Sequence, residues 1–182
     1  MTIKRLRPAY SSEELEELYA IPHSHAQFPD HVIRIEHTLE LASELLDSDD
    51  RSGADLSCGD GAILRALNLE TKYFGDFAPG YAYVGPIEST IGQIPNVAVF
   101  VLCETLEHVD DPMMVLALIR AKTEKLILST PLDEFNDENP EHYWGWDKAG
   151  IGQLLKAADF HPRFYRQTNP PFGYRFQIWG CT

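Results

Sequence analysis

The stretch DLSCGDG at residues 55–61 follows a short apolar segment and precedes a helical pattern. Glycine has no Cβ, so Gly59 and Gly61 allow the backbone to turn sharply and to approach a ligand closely. The N-terminus of the following helix offers free N–H groups to an anionic group such as a carboxylate. The stretch therefore predicts a ligand-binding turn in an α/β sheet, and by itself it suits a dinucleotide as well as other nucleotide-like ligands.

Strands and helices alternate on the C-terminal side of this turn. Five segments predict strands, over 53–57, 71–76, 81–85, 96–103 and 125–130. Three segments predict helices, over 61–68, 111–122 and 147–158. Two last segments, 163–167 and 174–180, predict a pair of hairpin strands. The alternation indicates an α/β fold whose sheet is covered by helices on both faces.

The first 50 residues follow a helical pattern instead. A capping-box sequence at 11–14 predicts a helix over 12–20. Asp30 is predicted to cap a second, longer helix, because it precedes apolar residues at helical spacing. We expect residues 1–50 to form a helical cap that belongs to the same domain as a core over residues 51–182.

The composition is that of one soluble domain. The chain has 182 residues, 44% of them hydrophobic, which is enough for a sizeable core. No apolar run approaches the roughly 20 residues that span a bilayer, and the N-terminus lacks the apolar segment of a signal peptide. Three widely spaced cysteines suggest neither a disulfide framework nor a cysteine-based zinc site. We therefore expect a cytoplasmic protein without a membrane partner, either monomeric or homodimeric.

The net charge of −13 bears on the partners of the protein. Phosphate backbones are bound mainly by Lys and Arg, so this charge disfavours nucleic acid without excluding it. Local basic patches stay open at both ends of the chain, at Lys4, Arg5 and Arg7 and at Arg163 and Arg166. A small or weakly charged partner molecule is favoured.

A second carboxylate sharpens the interpretation of the turn. Asp76 follows Asp55 at the spacing of about 20 residues that separates a phosphate-binding turn from a ribose-binding acid. It ends the second predicted strand, where a carboxylate can accept hydrogen bonds from both ribose hydroxyls. The alternative is that Asp76 only starts a turn with Pro79 and Gly80.

Several motifs in a fixed order carry a family resemblance. DLSCGDG at 55–61 resembles the first motif of class I S-adenosylmethionine (SAM)-dependent methyltransferases, and LCETLEHVDDP at 102–112 resembles their fourth. STP at 129–131, NPEHY at 139–143 and a helix ending in KAADF at 156–160 continue the match. The resemblance runs from about residue 53 to the C-terminus. It is closest to the branch that contains ubiquinone-pathway O-methyltransferases and small-RNA 3′-terminal 2′-O-methyltransferases.

This resemblance implies a Rossmann-like, mostly parallel sheet with an antiparallel C-terminal hairpin strand and N-terminal cap helices. It also implies that Asp55, Gly59 and Gly61 hold the methionine part of SAM and that Asp76 holds the ribose. The other residues implied for SAM binding are Ile87 and Glu88 near the adenine, Cys103 at the end of the fourth strand, and Arg34 against the SAM carboxylate. Ser57 stands where the family has glycine, so it must adopt a negative φ, and its hydroxyl can then bond the carboxylate of SAM.

Glu104, Glu107, His108 and His142 form a second group of candidates. Two carboxylates and two imidazoles can bind Mg, Mn, Zn or Fe. The resemblance to the small-RNA 3′-terminal 2′-O-methyltransferases implies such a site, because an equivalent pattern binds a divalent ion in them. Such an ion would lower the pKa of a substrate hydroxyl. The alternative is that these side chains only order the wall of the pocket. Without a metal, His108 or His142 can act as a general base, with Glu107 beside them.

Two further groups contain aromatic residues and histidines. Tyr143 and Trp144 are candidates for a flat wall of the acceptor pocket, while Trp146 is expected in the core and Asp147 as a helix cap. Four histidines lie near the N-terminus, at positions 23, 25, 31 and 37. They have no carboxylate or thiolate partners at fixed spacing, so we interpret the segment as a cap over the SAM pocket rather than a zinc site.

The sequence therefore predicts a SAM-dependent methyltransferase that transfers a methyl group directly to an O or N atom of a small-molecule acceptor. One alternative is methylation of a nucleic-acid end or base, with a divalent metal at the Glu104–His142 group. Another is a non-catalytic SAM-binding partner module. A metal-dependent hydrolase is disfavoured, because no motif orders its ligands.

Overall fold

The computed structural model describes residues 2–21, 24 and 27–182. Its strands are β1 (Ile3–Arg5), β2 (Ser52–Asp55), β3 (Thr71–Asp76), β4 (Tyr83–Val84), β5 (Val99–Cys103), β6 (Lys125–Pro131), β7 (Trp144–Trp146), β8 (Pro162–Gln167) and β9 (Phe176–Cys181). Its helices are α1 (Ser12–Leu18), α2 (Pro29–Leu45), α3 (Ala62–Ala66), α4 (Ile87–Thr90), α5 (Pro112–Arg120) and α6 (Lys148–Ala157). Short 3₁₀ turns cover Ile91–Gln93 and Leu106–His108.

Seven of these strands form one twisted sheet in the order β4-β3-β2-β5-β6-β9-β8. The strands from β4 to β6 are parallel, and β9 runs antiparallel between β6 and β8. The strand order reverses direction between β2 and β5, which opens a crevice at the carboxyl ends of these strands. The predicted fold class, a mostly parallel sheet with an antiparallel C-terminal hairpin, is confirmed.

Both faces of the sheet are buried, which explains the unbroken apolar run of β5. On one face Phe100 and Leu102 pack with residues of α4, α5 and α6. On the other face Val99 and Val101 pack with residues of α2 and α3. Successive β5 side chains point to opposite faces, so each layer of helices contacts alternate residues. The helix α2 also contacts β8 and β9, so it packs directly against one face of the sheet.

Side-chain caps begin α1, α5 and α6, whereas α2, α3 and α4 begin without one. Asp147 caps α6 as predicted, accepting a hydrogen bond from the Gly150 amide at 2.7 Å. The prediction that Asp30 caps the long helix is wrong, because α2 has Phe28 as its N-cap and proline at its first position. The carboxylate of Asp30 instead accepts a bond from the Tyr174 amide at 2.8 Å.

The sequence does not predict the small antiparallel sheet of β1 and β7. This pairing engages the N-terminal basic residues. Lys4 Nζ donates to the carbonyl of residue 135 at 2.8 Å, and Arg5 pairs with Asp110 at 2.6 Å. The Arg7 guanidinium donates to the carbonyls of residues 137 and 139. The three side chains therefore hold loops of the same chain. No helix in the described ranges is long and apolar enough to cross a membrane.

Candidate active site

A cavity of about 410 Å³ lies at the carboxyl ends of the parallel strands, within the range of roughly 300–1,000 Å³ that is usual for small-molecule sites. Segments after β2, β3 and β5 form one wall, and the N-terminal helices, residues 139–143 and Tyr174 form the other. The cavity therefore joins the predicted SAM turn to residues of the predicted acceptor side.

The turn after β2 and the end of β3 are connected by hydrogen bonds. Gly59 has a φ of 55° and donates its amide proton to Asp76 Oδ2 at 2.7 Å. Asp76 Oδ1 accepts from the Ala78 amide at 2.9 Å, so Asp76 starts a turn and also lines the cavity. Gly61 does not line it, because with a φ of 73° it forms the left-handed N-cap of α3.

Ser57 lines the cavity, and its backbone φ is not positive, as expected for a serine at the position where the family has glycine. Outside glycine, a positive φ occurs among the described residues only at Glu104, Asp133 and Asp159. The hydroxyl of Ser57 lies 2.7 Å from that of Thr105, which ties the turn to the segment after β5. Of the other residues predicted for SAM binding, Ile87 and Glu88 also line the cavity.

Asp55, Cys103 and Arg34 lie behind this wall, where with Ser57 they line a separate space of about 20 Å³. Arg34, which the resemblance places against the SAM carboxylate, contacts side chains of the protein itself. Nη1 donates to the Ser129 hydroxyl at 3.2 Å, and Nε lies 3.8 Å from Glu104 Oε1. A buried guanidinium is stabilised by the nearest carboxylate, and here the protein itself supplies that carboxylate.

Burial, reinforced by the nearby charge of Asp76, raises the pKa of Asp55 to about 8. Between its unfolded pKa of about 3.9 and this value, the folded protein retains a proton that the unfolded chain has lost. The free energy of unfolding should therefore fall as pH rises through this window. We expect Asp55→Asn to flatten that decline in urea unfolding measured at several pH values.

The exposed Asp49, for which no such burial exists, offers a matched control in Asp49→Asn. The control should keep the pH dependence of the wild type. Equal slopes for wild type and Asp55→Asn would contradict a protonated Asp55 in the folded protein.

Glu107, His108 and His142 lie together at the end of β5, with one potential ligand atom from each within 4.8 Å of the others. Glu104, predicted with them, lies apart and accepts a hydrogen bond from Ser129 at 2.7 Å. Thr130 donates to Glu107 Oε2 at 3.1 Å. Burial, reinforced by the charge of Glu104, raises the pKa of Glu107 well above its usual range.

His142 forms a close pair with a residue that the sequence analysis did not identify. Its Nδ1 lies 2.6 Å from Asp137 Oδ2, and both side chains are almost completely buried. The hydroxyl of Tyr174 donates to Asp137 Oδ1 at 3.0 Å, and the Arg7 guanidinium donates to the loop carbonyls of residues 137 and 139. A carboxylate on Nδ1 favours the tautomer whose Nε2 can accept a proton. In the sequence, this pair is indicated only by an aspartate that lies five residues before the histidine.

Tyr19 of the N-terminal segment is a second cavity residue that the sequence does not predict. Its hydroxyl lies 3.3 Å from His108 Nδ1, and its ring centroid is 5.9 Å from that of Phe77, the residue after Asp76. Burial, with a contribution from Glu141, raises the pKa of Tyr19, so the phenol stays neutral. The segment after α1 thus touches both the predicted donor side and the acceptor side.

Tyr143 and Trp144 are the two aromatic residues predicted for a wall of the acceptor pocket. Tyr143 lines the cavity, and its hydroxyl accepts a bond from the Tyr10 amide at 3.1 Å. Trp144, the second residue of this prediction, donates its Nε1 proton to the Val109 carbonyl, and Arg5 lies 4.7 Å over its ring. Of the four N-terminal histidines, His31 lines the cavity, and those at 23 and 25 lie outside the described residues.

Several solved structures with this architecture are methyltransferases. The N-methyltransferase NodS from Bradyrhizobium japonicum WM9, in complex with S-adenosylhomocysteine (SAH), has a TM-score of 0.68 at 14% identity, covering 93% of this chain and 96% of that chain. The chain has the class I methyltransferase fold. Magnesium protoporphyrin IX methyltransferase from Synechocystis PCC 6803 with bound SAH has a TM-score of 0.65 at 14% identity, with 93% of each chain covered.

A third structure with this fold is the 1,6-didemethyltoxoflavin-N1-methyltransferase from Burkholderia thailandensis, with a TM-score of 0.65 at 16% identity, covering 98% of this chain and 93% of that chain. No protein-family model matches the sequence, and no curated protein matches it. The branch that the motifs resemble stays a prediction.

Proposed function

We propose that the protein is a SAM-dependent methyltransferase that methylates an O or N atom of a small molecule. The observation that carries the proposal is the single cavity that joins Ser57, Gly59 and Asp76 to His142. In an open α/β sheet this edge is where nucleotide-like ligands bind. The three similar structures named above are methyltransferases with bound SAH, one of them together with its small-molecule substrate, which supports the same use of the fold.

In this proposal SAM lies along the wall formed by the ends of β2, β3 and β5. The methionine part lies at Ser57 and Gly59, with Asp55 and Cys103 behind them. Asp76 accepts from the ribose hydroxyls, because a carboxylate with two backbone donors still has lone pairs to offer. Ile87 and Glu88 lie beside the adenine, and Phe77 adds an apolar face that the sequence analysis omitted.

The reaction is one substitution. The bond from the nucleophile to the methyl carbon forms as the carbon–sulfur bond of SAM breaks, leaving SAH. The proton of the nucleophile passes to His142 Nε2, while Asp137 orients the ring. Since the methyl group is already activated by the sulfonium, the protein has to supply alignment and a proton acceptor.

Isothermal titration with SAH tests the shared claim of this proposal. We expect wild-type protein to bind SAH and Asp76→Ala to bind it about 10–100-fold more weakly, because hydrogen bonds to a charged group are worth about 1.5–3 kcal/mol. Glu70→Ala, an exposed acid just before β3, is the control and should leave the affinity unchanged.

The absence of SAH binding would contradict both the methyltransferase and the non-catalytic SAM module. An unchanged affinity in Asp76→Ala would remove Asp76 from the ribose site. Transfer of label from methyl-labelled SAM to fractions of native cell extract distinguishes an enzyme from a SAM-binding module that transfers nothing.

A second candidate function is metal-assisted methylation of a nucleic-acid end, favoured by the grouping of Glu107, His108 and His142. The four-residue ligand set fits only in part, since Glu104 is bound to Ser129 and Arg34 lies beside it. This candidate predicts a stoichiometric divalent ion in chelator-free protein that is lost in His108→Ala. Elemental analysis that finds no such ion in the wild type contradicts it.

A further inference from the structure

The cavity has an acceptor half, which we define as its lining residues from 9–31, 104–110 and 139–143 together with Tyr174. Four carboxylic side chains line this half, those of Asp30, Glu104, Asp110 and Glu141. In the described part of the chain, neither lysine nor arginine contributes to the lining. The acceptor half of the cavity therefore presents negatively charged groups to a bound acceptor.

Two of these carboxylates are balanced from outside the cavity. Arg34 lies beside Glu104, and Arg5 pairs with Asp110 at 2.6 Å. Asp30 accepts hydrogen bonds from two backbone amides, which stabilise its charge without cancelling it. Glu141 interacts with the neutral phenol of Tyr19. The acceptor half thus keeps an excess of negative charge that faces any bound molecule.

The same half is lined with aromatic rings, those of Tyr10, Tyr19, Phe28, Tyr143 and Tyr174. Tyr10 and Tyr143 meet edge to face with their centroids 6.1 Å apart, and the Tyr174 ring lies 5.6 Å from that of His142. Such rings pack against flat molecules, and their faces attract cations. Since the cavity of about 410 Å³ must also hold SAM, the molecule beside it has to be compact.

We propose that the acceptor is a compact aromatic amine, and that molecules carrying a carboxylate or a phosphate are rejected. The aromatic body would lie among the tyrosines, and the ammonium group would face Glu141 and Asp30. The methylated atom would be a separate hydroxyl or nitrogen presented to His142. An anionic competitor would lose its hydration and meet like charge, and this repulsion provides the specificity. The inference rests on the proposed methyltransferase function.

The test uses three probes with the same phenol ring: tyramine, para-ethylphenol and para-hydroxyphenylpropionate, which are cationic, neutral and anionic. Each is titrated into SAH-saturated protein, so that the sulfonium of SAM does not contribute and failure of SAH binding is seen separately. We expect tyramine to bind at least about tenfold more tightly than the propionate, a difference of about 1.4 kcal/mol. The neutral phenol should lie between them.

Glu141→Gln should reduce the preference for tyramine to a few-fold, whereas Glu138→Gln, an exposed neighbour outside the cavity, should leave it unchanged. Equal or tighter binding of the propionate overturns the inference. So does a preference that Glu141→Gln does not alter, or binding of none of the three probes to protein that binds SAH. Protein that does not bind SAH overturns the proposed function instead.

Discussion

Replacing His142 with alanine should lower kcat for methyl transfer by about 10²–10⁴-fold, the range usual for loss of a general base. His142 lines the cavity, and its Nδ1 is held by Asp137 at 2.6 Å, which leaves Nε2 as the proton acceptor. Rates are measured with labelled SAM and the acceptor identified from extract fractions. The affinity for SAH should stay within about twofold, because His142 acts on the acceptor and not on the donor.

Two comparisons separate this role from a structural one. Added imidazole should restore part of the activity of His142→Ala, and Asp137→Asn should lower kcat with little effect on KM, since Asp137 acts through His142. His161→Ala is the control, because His161 is exposed and does not line the cavity. A kcat for His142→Ala within about twofold of the wild type, or equal to that of the control, would contradict the general-base role.

The parts of the fold that the sequence predicts are those governed by local periodicity. The strand over Val99–Cys103 is apolar at every position because both of its faces are buried, and α5 and α6 carry helical spacing with aspartate caps. The sheet of β1 and β7 could not be predicted in this way. It pairs Ile3 with Trp146, and its formation depends on the rest of the fold bringing these segments together.

The candidate site also has residues whose position the sequence predicts and residues whose position it does not. Ser57 and Gly59 follow β2 and Asp76 ends the adjacent β3, so the spacing of the motifs predicts that these residues lie close together. Glu104 and His108 are four residues apart, a spacing that puts two side chains on one face of a helix, but the 3₁₀ turn starts only at Leu106, so this face does not form. Glu104 lies before that turn with a φ of 54°, and its carboxylate reaches Ser129 beside Arg34. A helical spacing predicts a shared face only where the helix exists.

Arg34→Met should lower the free energy of unfolding by about 3–5 kcal/mol, the cost of leaving a buried charge without its partner. Arg34 is 1% exposed, and it donates to Ser129, which in turn donates to Glu104. Burial already raises the pKa of Glu104, and Arg34 opposes that shift. Without Arg34 the pKa rises further, so the loss of stability should be larger at pH 8 than at pH 5. Urea unfolding at both pH values measures it.

The double variant Arg34→Met/Glu104→Gln decides whether the charge or the packing of Arg34 matters. Methionine fills much of the volume of the arginine stem, and glutamine removes the stranded carboxylate, so most of the lost stability should return. Arg51→Met, which breaks the exposed pair with Glu70, is the matched control and should cost no more than about 1 kcal/mol. If the double variant were as unstable as Arg34→Met, the ion pair with Glu104 would not be the reason that Arg34 is buried beneath the turn after β2.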